Sequence, residues 1–153
     1  MASVEDRLAE LGITLPETAA PAANYVPWVR SGNTVYVSGQ ISRDANGLIL
    51  GRLGDGVDVA AGAAAARTCG LYLIAQVRAA CEGDLDRLVR VVKLTGFVNS
   101  APGFTDQPKV VNGCSDLLVE IFGDKGRHAR SAIGVAALPL GVAVEVEGVF
   151  EIA

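Results

Sequence analysis

The sequence predicts an α+β domain in which a mixed β-sheet carries two main helices on one face. Three observations support this. Alternating runs rich in β-branched residues occur near residues 33–40, 88–100 and 131–153. Two long segments with apolar residues at three- and four-residue spacing lie between them. The chain has 153 residues, half of them hydrophobic and only 5% aromatic, which suits one aliphatic core built without disulfides or metals. No repeat, low-complexity tract or linker divides it. Residues 1–153 therefore read as a single domain, with residues 1–20 as an N-terminal helix and extended arm.

The elements follow in order. Residues 3–12 predict a short helix: Ser3 caps it, Asp6 suits its positive end, Val4, Leu8 and Leu11 share a face, and Gly12 stops it. The proline-rich stretch ITLPETAAPAANYVP runs extended over a surface. NTVYVSGQ is a strand with Val35 and Val37 on one face and Tyr36 and Ser38 on the other. Asn46-Gly47 signals a hairpin, with residues 48–50 as its return strand. After the glycine-rich connection GRLGDGVD, a long helix runs from about Asp58 to Glu82, with Ala63, Ala66, Gly70, Leu73, Val77 and Cys81 at helical spacing and Gly83 as the stop. LVRVVKLTGFVNS is the next strand. Thr105 or Asp106 caps a further helix, with Pro108 in its first turn and Val110, Val111, Cys114, Leu117, Leu118 and Ile121 as its apolar positions. Residues 131–153 read as two strands around a Leu-Pro-Leu-Gly turn.

Composition excludes several classes. The formal net charge is −4, so phosphate backbones are not attracted and no nucleic-acid partner is expected. The cysteines, Cys69, Cys81 and Cys114, have no metal-ligand spacing, and their odd number argues against a disulfide framework. They are expected to be buried thiols in a reducing compartment, with no metal site. No signal peptide and no membrane-spanning run is read, which makes a cytoplasmic location the expectation.

The last strand poses a problem. Val142, Val144 and Val146 point one way; Ala143, Glu145, Glu147 and Glu151 point the other. Glu147 and Glu151 suit a solvated face, but Glu145 is flanked by valines, and a carboxylate there is an acid/base candidate if it is desolvated. Arg127, His128 and Arg130 lie at the entrance of the preceding strand. Arginine grips a carboxylate with two parallel hydrogen bonds, although a lone arginine also serves as a surface ion-pair residue. His128, the only histidine, is a solvated loop residue or a general base. If the two strands formed a hairpin about Pro139-Leu140, Arg130 would pair near residue 149, roughly 13 Å along the ladder from Glu145. A cleft between subunits joins the two more easily.

The segments NYVPWVRSGNTVYVSGQ, FVNSAPGF, VVNGCSDLLVEIFG and ARSAIGVAALPLGVAVEVE resemble the RidA/YjgF family of reactive-intermediate deaminases, from about Pro21 to Ile152. The resemblance implies a chorismate-mutase-like fold and a homotrimer with clefts between subunits. It also implies hydrolysis of 2-imino or enamine acids, such as 2-aminoacrylate, to 2-oxo acids and ammonia, with no cofactor or metal. Carried over residue by residue, Arg130 matches the carboxylate-binding arginine, Glu145 the glutamate beside the attacking water, and Tyr25 the cleft tyrosine. Ser38 and Gly39 match the pocket-lining pair, and Asn112 an asparagine of the later helix. Ala132 stands where many members have cysteine, and the N-terminal helix is longer than usual. These assignments make Arg130 and Glu145 catalytic and make Tyr25, Ser38, Gly39, Asn112 and Arg130 substrate-binding. The expected partner is a small carboxylate, with no membrane contact. Two other readings stay open: a non-catalytic carboxylate-binding module, and a ribonuclease using His128 with Glu145.

Overall fold

Two helices cover one face of a five-stranded sheet, and the strand order decides where a site can form. The computed structural model describes residues 2–18 and 23–153; residues 19–22 of the expected extended arm lie outside the described residues. In chain order the elements are α1 (Val4–Glu10), β1 (Trp28–Ser31), β2 (Thr34–Ile41), β3 (Arg43–Asp44), β4 (Gly47–Leu48), β5 (Arg52–Leu53), β6 (Gly56–Val57), α2 (Val59–Ala80), β7 (Leu88–Asn99), α3 (Gln107–Phe122), β8 (Ala129–Val135) and β9 (Val144–Ile152).

Ser3 and Asp6 close a reciprocal capping box on α1, and Leu8 anchors that helix to the core. Asp58 caps α2 by accepting from the Ala61 N–H. Asp106 precedes α3 without a side-chain cap, and Gly123 ends that helix at φ +64°, a conformation that favours glycine.

The main sheet has the order β1-β2-β9-β7-β8. β2 and β7 both run antiparallel to β9, so they are parallel to each other and α2 is their crossover. β7 and β8 pair in parallel, with α3 as the second crossover. The last strand thus inserts between β2 and β7, inside the first β-α-β unit. This corrects the expected final hairpin: β8 and β9 do not pair, because β7 lies between them. The eight residues 136–143 cross over β7's end instead of turning tightly. Two smaller corrections follow. β2 takes β1 as its outer partner, a strand the proline-rich context hid. The Asn46 turn joins β3 to β4 in a separate ribbon, so residues 48–50 do not return along β2.

The core lies between the sheet and the helices. Val35, Val37, Leu94, Val98, Val144, Val146 and Phe150 meet Leu73, Ile74 and Val77 of α2 and Val110, Val111, Leu117 and Leu118 of α3, all nearly inaccessible to solvent. The other face is bare: Val29, Tyr36 and Ile133 are each about half exposed.

The helices approach closely where α3 carries Gly113. A Cβ there would collide with the Ala63 carbonyl of α2, which is backbone and cannot give way. Gly113 also sits between Asn112 and Ser115, so this contact sets the height of the α3 side chains over β8. Gly113→Ala is expected to destabilise the fold by about 1–3 kcal/mol through overpacking, read as a lowered midpoint in urea unfolding with an unchanged slope.

Candidate functional site

Arg130 belongs to a row that crosses the helix-covered face: Val37, Gly148, Leu94 and Arg130 are successive cross-strand partners. β8 is the edge strand, so the row ends in a polar cluster under α3. There Arg130 Nη1 donates to Asn112 Oδ1 at 2.8 Å and to Ser115 Oγ at 3.2 Å. Ser115 Oγ lies 2.8 Å from His128 Nε2, and His128 Nδ1 lies 2.6 Å from the Gly126 carbonyl. A carbonyl only accepts, so Nδ1 carries the proton and Nε2 accepts from the Ser115 hydroxyl. Burial, and then the Arg130 charge, hold the His128 pKa below its ordinary value, which keeps the ring neutral for this role. Both Nη1 protons are therefore committed. The Nε–Nη2 edge of the guanidinium has no partner among the described residues and is the edge that forks onto a carboxylate.

Glu145 lies in the next-but-two row, Ile41–Glu145–Phe97–Ile133, on the open face of the sheet. It alternates with buried Val144 and Val146. Ser42 fixes this register: its N–H donates to the Val144 carbonyl at 2.9 Å, and its hydroxyl donates to the Ile49 carbonyl at 2.9 Å. Opposite Glu147, β2 bulges by one residue at Ser38-Gly39. Gln40 Nε2 donates to the Ser38 carbonyl at 2.8 Å across the bulge. The Glu145 carboxylate fills the space where a Gly39 side chain would be, so any larger residue there must displace it. Burial, and then the Glu147 charge, push the Glu145 pKa up.

The carboxylate opens onto a cleft of about 540 Å³ also lined by Tyr25, Ser38, Gly39, Arg43, Tyr72, Gln76 and Leu140. Tyr25 is 64% exposed at the rim. Ser38 Oγ donates to the Val26 carbonyl at 2.9 Å and ties the Tyr25 segment to β2.

The structure thus gathers the sequence-predicted residues into two groups, Tyr25, Ser38, Gly39 and Glu145 in one and Asn112 and Arg130 in the other. Within one chain Arg130 and Glu145 are two strands and three residues apart, about 14 Å at backbone level, and they point from opposite faces. The hairpin register expected from the sequence is replaced by this one; the conclusion that they do not meet in one chain stands. Sequence reasoning missed Ser115, Ser42, Tyr72 and Gln76. Ser115 was visible only as a polar residue three after Asn112 on one helix face, and Tyr72 and Gln76 as a polar pair four apart on an alanine-rich helix.

Among the described residues no cluster of histidine, cysteine and acidic side chains forms a metal site. All three cysteines are buried and free. No described helix is long and apolar enough to cross a membrane.

The family described as "YjgF/chorismate_mutase-like, putative endoribonuclease" matches residues 5–151. The chain belongs to the RidA/YjgF family. It is similar to Protein TCP17 of Trypanosoma cruzi, with 53% identity over 97% of this chain and 94% of that protein. It is also similar to the 2-iminobutanoate/2-iminopropanoate deaminase of Dermatophagoides farinae, with 30% identity over 90% of this chain and 92% of that one. Among solved structures, Atu1372 of Agrobacterium tumefaciens superposes with a TM-score of 0.90 at 46% identity, covering 99% of this chain and 94% of that one. The YjgF/chorismate-mutase-like fold expected from the sequence is the fold observed.

The bulge contact gives a direct test in this RidA/YjgF chain. Gly39→Ala is expected to push the Glu145 carboxylate toward solvent. Carboxyl-carbon NMR should then show its titration midpoint falling from above the usual glutamate range back toward it, with the sheet resonances unchanged.

Proposed function

We propose that this chain hydrolyses small reactive 2-imino and enamine acids, such as 2-aminoacrylate, to 2-oxo acids and ammonia, in clefts between the subunits of a cytoplasmic homotrimer. One observation carries the reading: the site is divided. Arg130 is braced with a free fork at one edge of the sheet, Glu145 is desolvated on the opposite face, and each lacks a charge partner of opposite sign among the described residues. In a closed ring of copies the Arg130 half of one subunit abuts the Glu145 half of the next. The bare sheet face with Val29, Tyr36 and Ile133 supports burial against copies. The name of the mite relative supports the reaction. The buried free thiols support a reducing compartment.

The chemistry balances with water alone. The Nε–Nη2 edge of Arg130 binds the carboxylate of the protonated imine, the form an enamine reaches by taking a proton from solvent at its β carbon, and the electrophilic C=N carbon lies next to it. Glu145 takes a proton from water as the water oxygen bonds that carbon and the C=N π pair moves to nitrogen. The carbinolamine nitrogen then receives the proton from Glu145. The C–N bond breaks, the carbonyl closes, and ammonia leaves with the hydroxyl proton as ammonium. Glu145 ends as it began. Its raised pKa makes it a stronger base than an ordinary carboxylate.

Three results are expected. Arg130→Ala abolishes the acceleration of pyruvate formation from 2-aminoacrylate generated by a dehydratase, leaving the uncatalysed rate, with the far-ultraviolet spectrum unchanged. Glu145→Gln lowers kcat by ~10²-fold or more while binding changes little. The working form of Glu145 is the carboxylate, so kcat rises with pH through an acid limb above the usual carboxylate range, and Glu145→Gln flattens that limb. Mixing is the decisive measurement. Each trimer containing both inactive variants has one seam with an intact arginine and an intact glutamate. Re-association of an equal mixture should restore about a quarter of the native rate; mixed trimers with no recovered activity overturn the proposal.

A further inference from the structure

The Glu145 cleft contains two polar side chains that imine hydrolysis leaves unused. Gln76, on α2, is only 5% exposed and lines the cleft, yet its amide makes no hydrogen bond to any described residue. The amide is not among the described buried polar atoms that lack a partner, so it opens onto the cleft and is free to bond what enters it. Arg43 lines the same cleft. Its guanidinium carbon lies 5.5 Å from the centre of the Tyr72 ring, and it forms no ion pair with any described acid. Tyr72 and Gln76 are one helical turn apart on α2, so ring, amide and guanidinium form one continuous wall. Tyr25 and Leu140 add apolar lining.

This wall has a definite chemistry. Gln76 offers two N–H donors and one acceptor, and Arg43 offers donors only. A planar group with a C=O accepts from both. A carboxamide also donates an N–H back to Gln76, and a carboxylate gains the Arg43 charge against that of Glu17, which lines the same cleft. A short alkyl tail does neither: it displaces water from the amide without replacing its hydrogen bonds, the circumstance in which a polar site discriminates most strongly. Building on the proposed imine hydrolysis, we infer that this site takes 2-imino acids whose side chain ends in a carboxyl or carboxamide, held by Gln76 and Arg43, in preference to those with short alkyl side chains.

Stable 2-oxo acids, whose carbonyl oxygen stands in for the imine nitrogen, test this by calorimetric titration of the native oligomer. The probes are 2-oxobutanoate, 2-oxoglutarate and 2-oxoglutaramate. At least one of the two tailed acids should bind about tenfold or more tightly than 2-oxobutanoate. Gln76→Leu should remove that advantage and leave 2-oxobutanoate affinity within about twofold. Arg43→Met should weaken 2-oxoglutarate more than 2-oxoglutaramate. Gln76→Glu, nearly isosteric, guards against a folding defect: it should weaken 2-oxoglutarate selectively by charge repulsion. Equal or weaker binding of both tailed acids overturns the inference, as does an advantage that survives both Gln76 variants. If 2-oxobutanoate binding then still depends on Arg130, the imine-hydrolase reading stands without this preference. If none of the three acids binds, both readings fall.

Discussion

β7 takes a partner on each side, and most of the molecule's chemistry follows from which partner it takes where. Its antiparallel bond to β9 brings the last strand into the middle of the sheet, beside β2. There Glu145 meets the one place where β2 bulges and a glycine leaves room for its carboxylate. Its parallel bond to β8 puts that strand at the sheet edge, under α3, where the helix supplies Asn112 and Ser115 to brace Arg130. Exchanging β8 and β9 would bring the arginine into the interior and leave the glutamate at the edge. The same pairing that completes the core therefore divides the polar residues into two halves on opposite faces.

Each half is electrostatically incomplete. Arg130 is braced by neutral oxygens, which fix its direction without neutralising it. Glu145 is desolvated with a second acid, Glu147, two residues away, which is why its proton is held more tightly than usual. An isolated buried charge is expensive, and proteins tolerate it where a partner or a reaction uses it. The neutral His128 fits this view. Were it protonated, it would add a second cation to the Arg130 half and would no longer accept the Ser115 hydroxyl.

The sequence made the local features legible and left the non-local ones hidden. Alternation placed Val35 and Val37 inward and Tyr36 outward correctly, because a strand's two faces are a two-residue property. Helical spacing gave α2 and α3 almost to their ends, and Glu145 stood out as an acid between buried valines. The strand order was different in kind. Two strands joined by a Leu-Pro-Leu-Gly segment read as a hairpin, and nothing local says that a strand formed some forty residues earlier will lie between them. Gln76 was hidden for the same reason. On the helix it is one polar residue among alanines; it faces a cleft only because β2 bulges and β9 carries Glu145 alongside. The family resemblance named Asn112 as a site residue, which spacing alone did not; that it braces Arg130 is seen only in the structure.

The division of labour between sheet and helix bears on how such a site can change its substrate. Arg130 and Glu145, the groups proposed to react, sit on β8 and β9, fixed by ladder hydrogen bonds that also hold the core together, so moving them would disturb the whole sheet. The wall that would meet the substrate's side chain sits mainly on α2, at Tyr72 and Gln76. That helix is anchored by Ala65, Ala66, Cys69, Gly70, Leu73 and Val77, which face the core. Exchanging a cleft-facing residue of α2 therefore alters what the tail touches at little cost to packing, while the arginine fork and the desolvated carboxylate stay where the strand order put them. On the proposed reading, a fold arranged this way keeps one reaction and varies its substrate through one helix face, with the polar pair on α2 bearing on the substrate and Arg130 and Glu145 on the chemistry.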